Sequence, residues 1–231
     1  MADFLNHLVF GVYPYIALAV LALGSIVRYD REPYSWRSGS SQLLRRRQLI
    51  AGSVLFHVGV LIVFFGHLVG LLTPIRVFEW FGISHGAKQL LAMIAGGVAG
   101  VLAFLGASLL LHRRLSDARI RTTSGPGDVM VLVLLWLQLG LGLATVPLSA
   151  GHLDGSEMVK FMSWAQGIFT FRAGAWRYIT DVHPIFRMHL FFGLTILLLF
   201  PFTRLVHMLS APVRYLWRPG YQIVRSKKAA A

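Results

Sequence analysis

The 231-residue sequence contains no cysteine. That absence excludes a disulfide scaffold, a thiol nucleophile, a cysteine-ligated zinc or iron–sulfur site and a covalently attached c-type haem. Charged residues are also scarce at 13% of the chain, and acidic ones most of all, with 9 Asp and Glu against 22 Lys and Arg. Hydrophobic residues make up 56%, which excludes intrinsic disorder and fits poorly with a nucleic-acid partner for the basic excess.

The apolar residues are concentrated in five runs, each long enough to cross roughly 30 Å of hydrocarbon as a helix of about 20 residues. The runs cover approximately 9–27, 49–72, 89–111, 129–147 and 185–209. Backbone groups in lipid must be satisfied within their own segment, so each run predicts a transmembrane α-helix. We therefore expect an all-α integral membrane bundle of five helices over residues 1–209, followed by a cytoplasmic tail at 210–231.

Lys and Arg are distributed unevenly between the two sides of this predicted bundle. Sixteen of them fall in the first connection, the third connection and the C-terminal end, against six on the opposite side. Basic residues accumulate on the cytoplasmic side, so we expect the N-terminus in the periplasm and the C-terminus in the cytoplasm, in the cell inner membrane. The basic side is also expected to attract anionic membrane lipid, and it is suited to docking a soluble partner.

Four of the nine histidines lie inside predicted spans, where ionisable residues are rare and usually functional. His57 and His67 are in the second span, and His189 and His207 are in the fifth. Because these two helices run in opposite directions, their order along the membrane pairs His57 with His207 and His67 with His189. Each pair can hold a flat metal macrocycle from both sides, and iron with two histidine ligands carries electrons rather than binding oxygen.

The spacing of these histidines is unequal. His57 and His67 are about 15 Å apart along a straight helix, and His189 and His207 about 27 Å, at roughly 1.5 Å per residue. Straight parallel helices would therefore misalign the pairs by about 12 Å in total. Pro201 lies between His189 and His207 and can kink the fifth helix, which would help to absorb the mismatch.

The span histidines occur within a set of short motifs that extends along nearly the whole chain. The motifs are Tyr13-Pro14-Tyr15-Ile16, Arg28-Tyr29-Asp30, Phe56-His57, Gly66-His67, Leu72-Thr73-Pro74, Lys88-Gln89, Asp154-Gly155-Ser156-Glu157-Met158, Trp164-Ala165-Gln166, Phe186-Arg187-Met188-His189 and Phe200-Pro201-Phe202-Thr203-Arg204-Leu205-Val206-His207. With these motifs the sequence resembles the gamma subunits, the membrane cytochromes b, of bacterial respiratory nitrate reductases. The resemblance implies two b-type haems and oxidation of a membrane quinol near the outer haem. It further implies electron transfer to an iron–sulfur beta subunit and then to a molybdenum-containing alpha subunit.

The same resemblance suggests roles for residues other than the histidines. Lys88 is expected to donate to a quinol oxygen, with Gly66 allowing the ring to approach; the alternative is a lysine that extends to the membrane surface. Arg187 and Arg204 precede His189 and His207 and are candidates for contacts to haem propionates, or else mark the membrane boundary.

Two other functions remain open from the sequence. One is the cytochrome b subunit of a different quinone-linked oxidoreductase, such as a hydrogenase, a formate dehydrogenase or a sulfur-cycle reductase. The other is a permease without redox function, in which the span histidines relay protons. A haem absorption band in membranes that contain the protein distinguishes the permease from either cytochrome.

Overall fold

The computed structural model describes residues 1–36 and 44–210, and within these residues every regular element is helical. Five of the helices are long and apolar enough to cross a membrane, which confirms the predicted all-α fold with five long apolar helices. These helices are Ala2–Arg31, Arg46–Leu72, His85–Ser116, Pro126–Ala150 and Pro184–Phe202. The predicted tail at 210–231 lies outside the described residues from position 211 onward.

The first long helix combines α1 (Ala2–His7), a π-helical turn (Leu8–Val12) and α2 (Tyr13–Arg31). The elements that follow, up to α9, are a 3-10 turn (Pro33–Ser35), α3 (Arg46–Leu72), α4 (Ile75–Trp80), α5 (His85–Ser116), α6 (Ala118–Thr122), α7 (Pro126–Ala150), α8 (Ser156–Phe169), a 3-10 turn (Ala175–Ile179) and α9 (Pro184–Leu199). Pro126 and Pro184 each lie in the first turn of their helices, where a missing N–H costs no hydrogen bond.

The long helices pack in the order α3, α5, α7, α9 and α2. The α3–α5 contact is close because both helices contribute glycine to it. A Cβ atom on Gly59 would lie 2.5 Å from the backbone of Ala99 and Ala103, and one on Gly106 would lie 2.3 Å from the backbone nitrogen of Phe56. Small residues let helix backbones approach closely. The resulting van der Waals contacts hold the helices together, because lipid supplies no hydrophobic driving force between them.

The two ends of the bundle differ in composition. One end, called here the arginine-rich end, brings together the C-termini of α2 and α5, the N-termini of α3 and α7, and the segment after α9. It contains Arg28, Arg45, Arg113, Arg114 and Arg204. At the other end, called here the α8 end, helix α8 packs against α3, α5 and the 3-10 turn Ala175–Ile179. Trp164 and Ile168 of α8 are buried there in the largest apolar cluster of the described chain.

The fifth helix departs from the predicted continuous span at 185–209. Its α-helical part ends at Leu199 and is followed by a 3-10 turn (Phe200–Phe202). Thr203 then adopts an extended conformation with φ −118° and ψ 179° before a second 3-10 segment, Arg204–Ser210. Pro201 explains the break, because its ring removes a backbone donor and clashes with the preceding turn of an α-helix. The fifth helix is therefore interrupted at this point rather than merely kinked.

Candidate functional site

The structure brings the four span histidines together in two pairs. The ring centroids of His57 and His207 are 6.3 Å apart, and those of His67 and His189 are 6.1 Å apart. The two separations agree despite the unequal spacing along the chain, because the break after Leu199 redirects the segment that carries His207. The expected mismatch of straight helices therefore does not occur.

The imidazoles of three of these histidines are fixed by hydrogen bonds from Nδ1 to backbone carbonyl oxygens. The bonds join His57 to Ser53 at 2.8 Å, His67 to Val63 at 2.8 Å, and His207 to Arg204. An Nδ1 that donates to a carbonyl leaves Nε2 with its lone pair, which is the tautomer that binds a metal. For His189, the Nδ1 atom is buried without a hydrogen-bond partner among the described residues.

The spacing of the rings fits a metal held between them. Metal–imidazole nitrogen bonds of about 2 Å would place two ring centroids roughly 6 Å apart. No cluster of three or more His, Cys, Asp or Glu suited to a metal ion occurs within residues 1–36 and 44–210. Two imidazoles alone form an incomplete shell, whereas a haem macrocycle supplies the other four iron ligands itself. The donor set therefore fits haem better than a bare cation.

Space beside the histidines is also consistent with a large planar group. His57 and His67 are exposed on α3, and the part of this helix from Val54 to Leu72 is otherwise apolar. A Cβ atom on Gly142 of α7 would lie 3.0 Å from Cε1 of His189, so a larger residue at that position would press on this ring. The chain thus presents two imidazoles to open space on α3 and leaves room for the facing ring of His189.

Lys88 lies at the α8 end and is buried, with 5% of its surface exposed. Its Nζ donates to the carbonyl oxygen of Gly70 at 2.7 Å and contacts the sulfur atoms of Met162 at 2.8 Å and Met158 at 3.5 Å. The ammonium group is therefore directed into the protein. The alternative of a lysine extended to the surface is contradicted by this burial.

Gly66 and Gly70 face open space on successive turns of α3. A Cβ atom added to either glycine would meet no other atom within 4 Å. Residues four apart lie on the same side of a helix, so the two glycines leave a stretch of that side without side chains, called here the glycine groove. The ammonium of Lys88 is anchored at one end of this groove through the Gly70 carbonyl.

Both arginines that precede the fifth-helix histidines have partners within the protein. The Arg187 guanidinium donates to the side-chain oxygen of Asn6 and lies 5.5 Å from the centroid of the Phe10 ring. Nε of Arg204 donates to Asp128 at 2.7 Å. The roles of these arginines toward haem propionates stay predictions.

Sequence reasoning did not identify the partners of these charged groups. Asn6, Asp128 and the two methionines are each one of many similar residues in the chain, and their distant partners become apparent only when the helices pack. Asp128 carried one usable signal, because it is an acidic residue at the start of an otherwise uncharged span. An acidic residue in such a position is usually paired with a cationic side chain.

Residues 6–227 match the family described as the nitrate reductase gamma subunit. The chain is 50% identical over 228 residues to the respiratory nitrate reductase 2 gamma chain of Escherichia coli strain K12, covering 99% of this chain and 100% of that protein. It is 50% identical over 226 residues to the respiratory nitrate reductase 1 gamma chain of the same organism, covering 97% and 99%. The nitrate reductase gamma chain of Bacillus subtilis strain 168 is 37% identical over 222 residues, covering 96% and 99%.

Five apolar helices with two pairs of facing histidines have the arrangement of a membrane cytochrome b. The similarities along the full length are more specific than the arrangement. The chain belongs to the nitrate reductase gamma-subunit family, the membrane subunits that pass electrons from quinol in respiratory nitrate reductase.

Proposed function

We propose that this chain holds two b-type haems and passes electrons from quinol to the soluble subunits of a respiratory nitrate reductase. His57 and His207 would hold the iron of one haem, and His67 and His189 would hold the iron of the other. The observation that carries the proposal is the separation of about 6 Å in both pairs, 6.3 Å and 6.1 Å. When bound, a haem with two imidazole ligands supplies one-electron transfer and has no open position for oxygen.

The arginine-rich end faces the cytoplasm and the α8 end faces the periplasm. The concentration of arginine at one end supports this orientation, because basic residues are retained on the cytoplasmic side of a membrane. The His57 and His207 pair then lies nearer the cytoplasm, where the soluble subunits bind. The His67 and His189 pair lies nearer the periplasm.

Quinol binds on the periplasmic side beside Gly66, with Lys88 donating to one of its oxygens. The open groove at Gly66 and Gly70 admits a ring, and the Gly70 carbonyl holds the ammonium beside it. The contact of Nζ with the Met158 sulfur is long at 3.5 Å. A thioether is a weak acceptor, so exchanging this contact for a quinol oxygen strengthens the hydrogen bonding of the lysine.

A cationic donor at that oxygen also promotes loss of the quinol proton, because it stabilises the negative charge that remains. The periplasmic location means that the protons leave on that side while the electrons move inward. Each electron that crosses fully moves against the membrane potential at a cost of about 2.3 kcal/mol per 100 mV. The chain would therefore contribute to the proton-motive force without a proton channel.

The partners in this proposal are an iron–sulfur beta subunit and a molybdenum-containing alpha subunit, besides quinol and membrane lipid. The basic tail at 210–231 is the proposed contact to those subunits, since it mixes arginine and lysine with Tyr215, Trp217 and Tyr221. Identity of 50% to two nitrate reductase gamma chains disfavours both a hydrogenase-type partner and a permease.

The direct test uses membranes that contain this chain with its partner subunits. A quinol analogue is expected to reduce two low-spin b-type haems, and nitrate is then expected to reoxidise both. Reduction without reoxidation by nitrate would contradict the assignment of the partner. A haem-free chain would contradict the proposal as a whole.

A further inference from the structure

His207 is held by a different kind of backbone from the other three histidines. His57 and His67 lie within α3 and His189 lies within α9, where each turn is hydrogen-bonded to the next. The segment Arg204–Ser210, called here the His207 segment, is a 3-10 helix that follows the break at Pro201. Because the break removes α-helical hydrogen bonds, the direction of this segment depends on contacts from other helices.

The first of these contacts comes from Arg28 at the end of α2. Its NH1 group donates to the carbonyl oxygens of Pro201 at 2.6 Å and Thr203 at 2.8 Å. Its Nε and NH2 groups donate to the side chain and carbonyl of Ser35, at 3.1 Å and 2.7 Å. One guanidinium thus satisfies two carbonyl groups at the break and ties them to the end of the first long helix.

The second contact comes from Asp128 at the start of α7. Its Oδ1 accepts from Nε of Arg204 at 2.7 Å, and its Oδ2 lies 3.7 Å from NH1 of Arg114 and accepts from the backbone nitrogen of Gly125 at 3.3 Å. The carbonyl oxygen of Arg204 in turn accepts the Nδ1 hydrogen of His207. A continuous set of contacts therefore runs from the Asp128 carboxylate through Arg204 to the imidazole.

We infer that Asp128 and Arg28 are positioning residues for the His207 ligand. Asp128 fixes the side chain of Arg204, and Arg28 fixes the carbonyls on which the His207 segment begins. The inference rests on the proposed function, since it concerns the haem between His57 and His207. It also gives Arg204 a role other than binding a propionate: its backbone orients the ring while its side chain anchors the segment.

The test compares the two haems within one protein, in the detergent-solubilised complex with its partner subunits. The variants are Asp128→Asn, Arg204→Gln and the double variant. The readouts are the low-spin electron paramagnetic resonance signal of each haem and the rate at which each haem is lost to excess apomyoglobin. The haem that is lost in His207→Ala identifies the signal of the His57 and His207 site.

Loss of an outer partner of a metal ligand typically weakens binding about 10–100-fold. We expect Asp128→Asn to speed loss of the His57 and His207 haem about tenfold and to shift its low-spin signal, with the other haem unchanged. The double variant is expected to match the single ones, because each single change already removes the ion pair between Asp128 and Arg204. Arg28→Lys keeps the positive charge but loses the planar set of guanidinium donors. It is expected to speed loss of the same haem by a smaller factor.

The matched control is Asp117→Asn, because Asp117 pairs with Arg45 at the same end, 3.0 Å from Oδ2 to Nε. This variant is expected to leave the ratio of the two haem signals unchanged. An equal effect of Asp128→Asn on both haems, or none on either, would overturn the inference even if His207→Ala removes one haem. Retention of both haems in His207→Ala would instead overturn the proposed function on which the inference rests.

Discussion

The two histidine pairs have nearly equal ring separations, 6.3 Å and 6.1 Å, but their surroundings differ. At the α8 end, His67 and His189 lie on unbroken α-helices, beside an open glycine groove and one buried ammonium. At the arginine-rich end, His207 follows a helix break and depends on Arg28 and Asp128. Similar ligand geometry is thus obtained once from regular secondary structure and once from charged contacts between helices.

This difference agrees with the roles proposed for the two ends. Quinol needs room and a hydrogen-bond donor, and a groove in a regular helix supplies room without breaking backbone hydrogen bonds. The opposite end is the one proposed to face the cytoplasm and the partner subunits, and arginine is favoured on that side of a membrane in any case. Ionic contacts there fix the direction of a segment whose backbone hydrogen bonds have been interrupted by Pro201.

The largest expected effect comes from removing one ligand at each end. His57→Ala is expected to abolish nitrate reduction from quinol while the remaining haem is still reduced by a quinol analogue, because the proposed quinol site is at the far end. His67→Ala is expected to abolish both nitrate reduction from quinol and reduction of the remaining haem by a quinol analogue. His112→Ala is the control, because His112 lies at the arginine-rich end outside the two histidine pairs. Its Nδ1 atom is 3.2 Å from Nε2 of Gln48. Identical kinetics in the His57 and His67 variants would show that the two ends do not differ in function.

Replacement of the buried lysine tests the role of the α8 end. Lys88→Met keeps an unbranched side chain among Met158 and Met162 and removes only the charged donor. Hydrogen bonds to charged groups contribute about 1.5–3 kcal/mol, so quinol-driven haem reduction is expected to slow roughly 10–100-fold with both haems retained. Lys160→Met on α8 is the matched control. Stopped-flow reduction at the normal rate in Lys88→Met would leave the lysine with a purely structural role.

A change in the scaffold shared by both ends is expected to affect the two haems equally. Gly59→Ala introduces a Cβ atom 2.5 Å from the backbone of Ala99 and Ala103, which the α3–α5 contact cannot accommodate without separating. Overpacking of this kind costs about 1–3 kcal/mol. Thermal unfolding followed by haem release measures it, with Gly96→Ala as the control because that position is open. Preferential loss of one haem would contradict the common scaffold.

The smallest expected effect is at the ion pair between Lys160 and Asp181, where Nζ lies 3.0 Å from Oδ2. Hydrogen bonds to Asp181 and Glu157 raise the pKa of Lys160, and the bond from Lys160 lowers the pKa of Asp181. The stabilising contribution is therefore complete between the usual pKa values of the two groups. It is lost as pH falls through the lowered pKa of Asp181 or rises through the raised pKa of Lys160.

Both partners are partly exposed, so the contribution of this pair is expected to stay below about 1 kcal/mol and to decrease with salt. Melting curves of Lys160→Ala and the unchanged chain across pH measure it. A difference between the two that persists unchanged below the lowered pKa of Asp181 would show that the lysine stabilises the chain through packing instead.

Much of the fold followed from the sequence because lipid restricts the choice of structure. A run of about 20 apolar residues in a membrane has to be helical, so five runs gave five helices. The break after Leu199 was only partly foreseen. Pro201 predicted a kink, but whether the helix continues past a proline depends on whether another helix offers donors to the freed carbonyls. Arg28 offers them here, and its position is set by packing.

The candidate site likewise combines features that the sequence predicts with features that depend on helix packing. The antiparallel order of the second and fifth helices predicted which histidines would face each other, and the rings do lie in those pairs. The burial of Lys88 was not predictable, since an isolated lysine at a helix end usually extends toward water. Only the packing of α8 across this end places two methionine sulfurs beside the ammonium.

The central claim is that the histidines hold haem in these two pairs, and spectra of single and double variants test it most directly. His57→Ala, His207→Ala and the variant with both changes are expected to lack the same haem component, leaving the same half of the reduced-minus-oxidised signal in all three. His67→Ala and His189→Ala are expected to leave the other half. If the double variant His57→Ala with His207→Ala lost both components, or if His57→Ala and His67→Ala lost the same one, the pairing would be contradicted.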